Sequence, residues 1–191
     1  MGFIALFALC AAALALVLAL TFANRRVSAK VDELSDKLDL PYVGMYVPIA
    51  VAQGANDTIA LGKPAVAQVL FFYNTTCPFC RASLPSIKRL TAALASASPR
   101  TPLIGVSRHA LPETQAYVER ERLGLPAYSL LDERSIALFH AASVPTLMVV
   151  SSEGKITYVR NGSIGDTDVA KAEAAVRALD ALGSGTKGGV P

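Results

Sequence analysis

The sequence predicts a layered α/β domain that follows an apolar N-terminal segment. A nearly unbroken apolar run covers residues 65–73, as is typical of a central strand buried on both faces of a sheet. Shorter strand-like segments alternate with helix-like segments after this run, and a hairpin and a helix come last. Strands that alternate with helices indicate one sheet with helices packed on its faces.

The N-terminal segment is continuously apolar from Phe3 to Ala23, apart from Cys10 and Thr21. About 20 apolar residues span the hydrocarbon core of a bilayer as a helix, so residues 1–24 are expected to form a transmembrane anchor. In that case residues 3–23 contact the lipid bilayer. A cleaved signal peptide fits less well, because no basic stretch precedes the run and no A-x-A-like site follows it cleanly.

Residues 25–43 predict a juxtamembrane helix or linker. Apolar residues recur there at helical spacing with charged residues between them, and Pro41 would end the helix. Arg25, Arg26 and Lys30 directly follow the apolar run. The positive-inside tendency would therefore place the bulk of the protein in the cytoplasm.

The α/β domain is expected to occupy residues 44–183, followed by a Gly-rich disordered tail at residues 184–191. The expected strands cover residues 46–51, 58–61, 65–73, 102–107, 127–131, 146–151 and 155–160. The expected helices are one directly after Cys80, two at residues 113–123 and 135–141, and a last one that Asp166 caps and Gly183 closes.

Composition excludes several classes of function. The 191-residue chain has a net charge of +3 and no basic stripe, so nucleic acid is not an expected partner. One CxxC motif among three cysteines is too little for a four-cysteine zinc site or for a disulfide-stapled scaffold. Zinc ligation by two cysteines with His109 and His140 is disfavoured, because neither histidine lies at finger spacing. We expect no metal and no cofactor.

The strongest chemical signal is the pair Cys77 and Cys80, which follows the apolar run and precedes a helix-like segment. In that order the sulfurs fall at a strand-to-helix junction, where the helix N-terminus stabilises a thiolate. Cys77, nearer the helix start, would attack a substrate disulfide, and Cys80 would then resolve the mixed disulfide. Pro78 and Phe79 lie between them and should tune reduction potential and access. Buried structural thiols or a static disulfide are the alternative.

Two motifs resemble the thioredoxin superfamily. Residues 77–81 read CPFCR, and Pro85 stands where this family has a helix-kinking proline. Residues 144–146 read VPT ahead of a strand and a hairpin, which is the family's cis-proline position. The resemblance implies a thioredoxin-like fold over roughly residues 44–182, with a central mixed sheet flanked by helices and an extra helix–strand insertion.

The same resemblance assigns roles to single residues. It implies that Cys77 and Cys80 form a redox-active disulfide and that Pro145 is cis and packs against it. It also implies that Val144 offers its backbone to a bound substrate segment and that Thr146 completes this support. The implied substrates are the disulfides of other proteins.

The separation between Cys80 and Pro145 is larger than in plain thioredoxin. This spacing and the N-terminal anchor are similar to the membrane-anchored TlpA/ResA-like branch and to the methylamine-utilisation protein MauD. The resemblance implies a single-pass inner-membrane protein with its catalytic domain in the periplasm and a membrane electron-donor protein as partner. We follow it over the positive-inside tendency, and a cytoplasmic domain is the alternative. A MauD-like factor would serve the maturation of one periplasmic enzyme, such as methylamine dehydrogenase.

Three positions depart from the family's pattern. Phe71 stands where thioredoxin has a buried aspartate, and Ser83 stands where TlpA/ResA-like reductases often have a glutamate. Thr76 replaces a tryptophan before the first cysteine. Without a nearby carboxylate to accept the proton of Cys80, the resolving step is expected to be slower near neutral pH.

Several functional alternatives remain open at this stage. Reductase, oxidase and isomerase activities differ in reduction potential, which the sequence does not determine. A membrane-tethered thioredoxin-fold module that binds a partner would need no exchange chemistry. A peroxiredoxin would share the insertion, but the threonine that it has three residues before its reactive cysteine is Asn74 here.

The remaining candidates are two histidines and two aromatic residues. His109 follows the strand that ends at Ser107; it could approach the cysteines, but a position on a surface loop is expected. His140 is expected to pack or to cap a helix. Tyr73 and Phe79 would either line a peptide-binding groove or belong to the core.

Overall fold

The computed structural model describes residues 14, 16–22, 24–26 and 41–185. The predicted anchor at residues 1–24 and linker at residues 25–43 therefore lie largely outside the described residues, as does the tail beyond residue 185. The chain divides into two compact units, Met1–Asp39 and Leu40–Pro191. Described residues of the first unit are helical. Among all described residues, no helix is long and apolar enough to cross a membrane.

The second unit is built on seven strands, and β3, β4 and β5 at its centre run parallel to one another. The remaining neighbours pair antiparallel, and the strand order is β2-β1-β5-β4-β3-β6-β7. The strands are β1 (Ala50–Gln53), β2 (Thr58–Leu61), β3 (Gln68–Tyr73), β4 (Leu103–Ser107), β5 (Ala127–Ser129), β6 (Thr146–Val150) and β7 (Ile156–Asn161).

Helices cover both faces of this sheet. In the described part of the unit they are α1 (Pro78–Ala97), α2 (Leu111–Glu121), α3 (Glu133–Leu138) and α4 (Asp166–Gly185). Apolar residues of α1 recur every three or four positions, which places them on one face, and that face is buried: Leu84, Ile87, Leu90 and Leu94. Pro85 lies inside this helix, as the sequence predicts.

The central strand β3 separates two hydrophobic cores. Val69, Phe71 and Tyr73 point to the core that α1, α2 and α4 cover. Leu70 and Phe72 point to the opposite core, which α3 covers. Alternation along a strand produces this division, and it explains why residues 69–73 are all apolar. The thioredoxin-like α/β fold with a mixed sheet is confirmed.

Several element boundaries differ from the sequence prediction, and the first strand is one of them. The predicted strand at 46–51 is shorter: Tyr46 makes only an isolated bridge to Lys155, and the paired strand begins at Ala50. Pro48 lies between them and has no N–H to donate to a ladder, so regular pairing starts after it.

The last helix also differs at both ends. Asp166 is its first residue, but the capping contact comes from Asp168, whose Oδ2 accepts a hydrogen bond from the Gly165 N–H at 3.0 Å. The helix continues to Gly185, past the predicted stop at Gly183, so the tail predicted from residue 184 starts inside it. Leu182, near the end of this helix, is 74% exposed.

Candidate active site

The register of the sheet brings the cysteine loop and the proline loop to one edge. Phe72 in β3 pairs with Thr146, the first residue of antiparallel β6. The chain that follows β3 and the chain that precedes β6 therefore leave the sheet side by side. Tyr73 also lies opposite Ser107 in parallel β4, so the loop after β4 reaches the same edge.

Cys77 is the N-cap residue of α1. Its backbone is extended, with φ −76° and ψ 121°, and its Sγ accepts a hydrogen bond from the Cys80 N–H at 3.3 Å. Pro78 occupies the first turn, where a missing N–H costs no helical hydrogen bond. The half-buried Cys77 sulfur thus lies where the helix dipole favours negative charge.

Cys80 is the buried member of the pair. It has no exposed surface, and its Sγ accepts a hydrogen bond from the Asn74 N–H at 3.5 Å. Burial raises the pKa of Cys80 to about 12; the Asn74 N–H counteracts this rise and the neighbouring Cys77 adds to it. Both cysteines are free thiols. Cys77 at the helix start is therefore the less covered thiol of the pair, and Cys80 is the buried one.

The proline loop lies against Cys77. The Val144–Pro145 peptide bond is cis, as the resemblance implies. The Val144 carbonyl oxygen is 3.8 Å from Cys77 Sγ and can accept a hydrogen bond from the thiol. The buried Thr146 hydroxyl lies 2.8 Å from the Ser143 carbonyl oxygen, which ties the loop to the start of β6.

The two aromatic residues considered for a peptide groove separate in the structure. Phe79 is 61% exposed beside the cysteines and is free to contact a polypeptide. Tyr73 has no exposed surface, and its ring stacks on Phe71 with centroids 5.4 Å apart. Tyr73 therefore belongs to the core rather than to a groove.

Ser83 joins two segments below the cysteines. Its hydroxyl donates to the Phe79 carbonyl at 2.8 Å and accepts from the Ile164 N–H at 2.9 Å. The side chain is fully buried. Ser83 thus has a structural role here, and a charged carboxylate at this buried position would lose its solvation.

A carboxylate does reach the cysteine loop, but from α2. The buried Thr75 hydroxyl donates to Glu113 Oε1, and His109 Nδ1 lies 2.9 Å from the same oxygen. The hydrogen bond from Thr75 is the main cause that lowers the pKa of Glu113, and His109 adds to it. This cluster links the segment before Cys77 to the loop after β4.

Sequence reasoning did not identify Glu113 or Thr75 as part of the site. The available signal was that residues 111–113 open a helix directly after a strand that is parallel to β3, so their side chains return to the cysteine edge. His109 is half-buried and paired, and is not a free surface residue. His140 follows α3 with φ 50° and donates its N–H to Ala137, in agreement with a capping role. Within the described ranges, no group of three or more metal-ligating side chains occurs.

Comparison with known proteins agrees with this architecture. The model of the AhpC/TSA family matches residues 53–159, more than half of the chain. The soluble secreted antigen MPT53 of Mycobacterium tuberculosis is 28% identical over 152 residues, which cover 79% of this chain and 79% of that protein.

Solved structures share the fold at low identity. A thiol:disulfide interchange protein from Bacteroides sp. superposes with a TM-score of 0.60 at 18% identity, covering 73% of this chain and 92% of the other. A peroxiredoxin-like protein from Aquifex aeolicus superposes with a TM-score of 0.57 at 17% identity, covering 71% and 88%. The described unit therefore has the fold that these thiol-dependent proteins share.

Proposed function

Because this chain belongs to the AhpC/TSA family, we propose that it is a protein-disulfide oxidoreductase that works through the Cys77–Cys80 dithiol. One observation carries the proposal. The half-buried Cys77 Sγ at a helix N-terminus lies 3.8 Å from the Val144 carbonyl oxygen and accepts a hydrogen bond from the backbone N–H of Cys80, whose own thiol is buried. This arrangement gives one accessible nucleophile and one protected resolving group. That division suits disulfide exchange better than static structural thiols.

The reaction follows from the two positions. The Cys77 thiolate attacks one sulfur of a substrate disulfide, so a Cys77–substrate disulfide forms and the other substrate sulfur leaves as a thiolate. Cys80 then attacks Cys77 Sγ, an intramolecular Cys77–Cys80 disulfide forms, and the second substrate sulfur leaves. The two leaving thiolates take up the protons given up by the cysteines. The substrate gains two electrons and the protein loses two, and the reverse sequence oxidises a dithiol.

The substrates we propose are folded or extended polypeptides that carry a disulfide. Phe79 presents an exposed ring beside Cys77 for apolar contact. Val144 places backbone groups beside the same sulfur, with Pro145 and Thr146 holding the loop. Pro78 shapes the start of α1. A MauD-like role, with a single periplasmic enzyme as substrate, is the narrower form of this proposal.

Trapping of the first intermediate tests the proposal. In a Cys10→Ser background, Cys80→Ser is expected to accumulate disulfide-linked adducts that a reductant releases, because Cys77 still attacks and nothing resolves the product. Cys77→Ser in the same background is the matched control and should give no adducts. Adducts would be scored on non-reducing gels after acid quenching and identified by mass spectrometry.

The competing proposal, a non-catalytic binding module, makes the opposite prediction. It expects complexes that form equally in the Cys80→Ser and Cys77→Ser variants and that survive reduction. Equal adduct levels in the two variants would therefore exclude the oxidoreductase.

We further propose that residues 3–23 anchor the protein in the inner membrane with the catalytic unit in the periplasm. The apolar run in the sequence supports an anchor, and its described residues are helical with exposed apolar side chains, such as Leu16 and Phe22. The similarity to a secreted mycobacterial antigen supports an extracytoplasmic location. In this setting a membrane electron-donor protein would reduce the Cys77–Cys80 disulfide.

A pair of reporter fusions after Ser184 tests the location. A reporter active only in the periplasm is expected to be active, and one active only in the cytoplasm is expected to be silent. The reverse result would reverse the orientation. Release of the whole fusion from membranes by alkaline carbonate would contradict the proposed membrane anchor.

Peroxide reduction is the second candidate function. The family match and the fold shared with a peroxiredoxin-like protein favour it. The residue three positions before Cys77 argues against it, because a peroxiredoxin has a threonine there and this chain has Asn74. The Asn74 side chain accepts hydrogen bonds from Thr76 N and Oγ1 at 2.9 and 2.7 Å. Consumption of hydrogen peroxide at the rate of disulfide exchange would establish it, and exchange without peroxide consumption would dismiss it.

A further inference from the structure

Two buried phenol hydroxyls near Cys80 have no hydrogen-bond partner in the described protein. Tyr73 and Tyr117 are 0% and 1% exposed. Their hydroxyl oxygens are the buried side-chain polar atoms without a partner among the described residues. Buried polar groups are nearly always hydrogen-bonded, since an unpaired one costs its full desolvation energy. A single shared hydrogen-bond partner would satisfy both unpaired hydroxyls.

Both tyrosines belong to the same core as Cys80. Their rings stack with centroids 5.5 Å apart, and both side chains pack in the cluster that contains the Cys80 thiol. Tyr73 directly precedes Asn74, whose N–H donates to Cys80 Sγ. Burial is the largest cause that raises the pKa of each tyrosine, and negative charge on Cys80 adds to it.

We propose that one buried water links the hydroxyls of Tyr73 and Tyr117 to Cys80 Sγ and, besides the Asn74 N–H, supplies a second hydrogen bond to the Cys80 thiolate in the resolving step. Three polar partners are typical of a buried water, and this core offers them in Tyr73, Tyr117 and Cys80. The inference rests on the proposed disulfide exchange and adds supporting residues to it.

The chemical role of the water is limited to stabilising charge. Cys80 must become a thiolate to attack Cys77 Sγ, and burial opposes this ionisation. The phenols stay protonated and act as donors through the water, while the proton from Cys80 ends on the departing substrate thiolate. Other charged groups that act on this core are Cys77 on the sulfur, and Arg81, Arg120 and Glu121 on Tyr117.

A two-phase assay with an aromatic disulfide tests this inference. In a Cys10→Ser background, Ellman's reagent should release one aromatic thiolate when Cys77 attacks and a second when Cys80 resolves. Tyr117→Phe and Tyr73→Phe each remove only a hydroxyl. We expect an unchanged first phase, a second phase slowed roughly tenfold near neutral pH, and an upward shift of its pH midpoint, as for loss of a hydrogen bond to a charged group.

Tyr128→Phe is the matched control, because Tyr128 lies in the opposite core and its hydroxyl donates to Asp57 Oδ2 at 3.0 Å. It should be less stable but keep both phases. If the two hydroxyls are simply unpaired, Tyr117→Phe and Tyr73→Phe will melt at a higher temperature than the wild type, and the second phase and its pH midpoint will not change. That result overturns this inference but not the proposed function. A wild-type protein without the first phase overturns the proposed function and this inference together. The unchanged first phase also reports that each variant is folded, and either variant by itself decides the question.

Discussion

Ser83 shows how a single side chain holds the candidate active site to the rest of the core. Its hydroxyl bridges the Phe79 carbonyl in α1 and the Ile164 N–H in the segment before α4. Ile164 itself is buried, so its N–H has no access to solvent. The position therefore secures the helix that carries Cys80 against the last helix.

Ser83→Ala is expected to lower the free energy of unfolding by about 1–3 kcal/mol, because the buried Ile164 N–H loses its acceptor. Ser96→Ala is the matched control: the exposed Ser96 hydroxyl donates the same kind of bond, to the Ala92 carbonyl at 3.2 Å, but accepts none from the residues that the structure describes. Its effect should stay within roughly 0.5 kcal/mol. Urea unfolding measures both. Equal losses in the two variants would refute the bridging role.

Glu113 gives the stability of this unit a dependence on pH. The hydrogen bond from Thr75 lowers the pKa of Glu113 below its ordinary value of 4.5, with a further contribution from His109. A carboxyl with a lower pKa in the folded state binds fewer protons there than in the unfolded state. Its contribution is present above pH 4.5 and is lost as the pH falls through the folded-state pKa.

Comparison of Glu113→Gln with the wild type tests this dependence. The wild type should be the more stable protein near neutral pH. The difference in stability should disappear as the pH falls below 4.5, the ordinary pKa of the Glu113 carboxyl, and through its lower pKa in the folded state. Urea midpoints measured across this range would show it, with Glu119→Gln on the exposed side of the same helix as the control for charge removal. A difference that stays constant down to low pH would rule out the Glu113 contact as its source.

At the residue level, the sequence reveals the reactive groups but not their partners. Cys77, Cys80 and Pro145 are identifiable because each occupies a short motif. Glu113 and Tyr117 lie about forty residues from the cysteines, on a helix whose rotation over the sheet depends on packing. Their approach to the site is a tertiary property that no local pattern encodes.

At the level of elements, Gly62 allows the β2–β3 connection to lie close to the segment before β1. Gly62 has φ +67°, and a Cβ built there would lie 2.3 Å from the Pro48 carbonyl oxygen. Gly124, after α2, has a similar φ of +65° but has no atom within 4 Å of its Cβ position. An alanine substitution at Gly124 would therefore cause backbone strain alone, whereas one at Gly62 would cause both backbone strain and a steric clash.

Gly124→Ala is expected to cost about 1–2 kcal/mol, the price of a left-handed conformation for a residue with a Cβ. Gly62→Ala should cost roughly 1–3 kcal/mol more, because backbone must also move away from the new methyl group. Thermal or chemical unfolding measures the difference. A Gly62→Ala variant as stable as Gly124→Ala would show that the Pro48 segment yields without strain.

Element types follow from the sequence more closely than element ends. The apolar run and the helix after Cys80 appear where the pattern predicts them, because hydrophobic periodicity reports burial directly. The start of β1 differs because Pro48 interrupts pairing, and the end of α4 differs because Gly183 lies within a helix that continues beyond it. Ends depend on single backbone hydrogen bonds, which periodicity does not report.

At the level of the whole molecule, the fold converts two separate motifs into one site. Parallel β3 and β4 deliver the cysteine loop and the Glu113 helix to one edge, and antiparallel β6 returns Val144 to it. The α2–β5 insertion adds Tyr117 to the core around Cys80. Phe79 is exposed and Cys77 is half-buried at the edge where the proposed substrate would bind, while Cys80 is fully buried.

The redox equilibrium of the cysteine pair tests the central claim most directly. The Cys10→Ser protein would be equilibrated with glutathione buffers, quenched with acid, alkylated and weighed by mass spectrometry. We expect a single reversible two-electron transition between dithiol and Cys77–Cys80 disulfide, with a midpoint between roughly −270 and −120 mV, the range of thioredoxin-fold oxidoreductases. Cysteines that stay reduced, or stay oxidised, across that whole range would contradict the assignment of disulfide exchange to this pair.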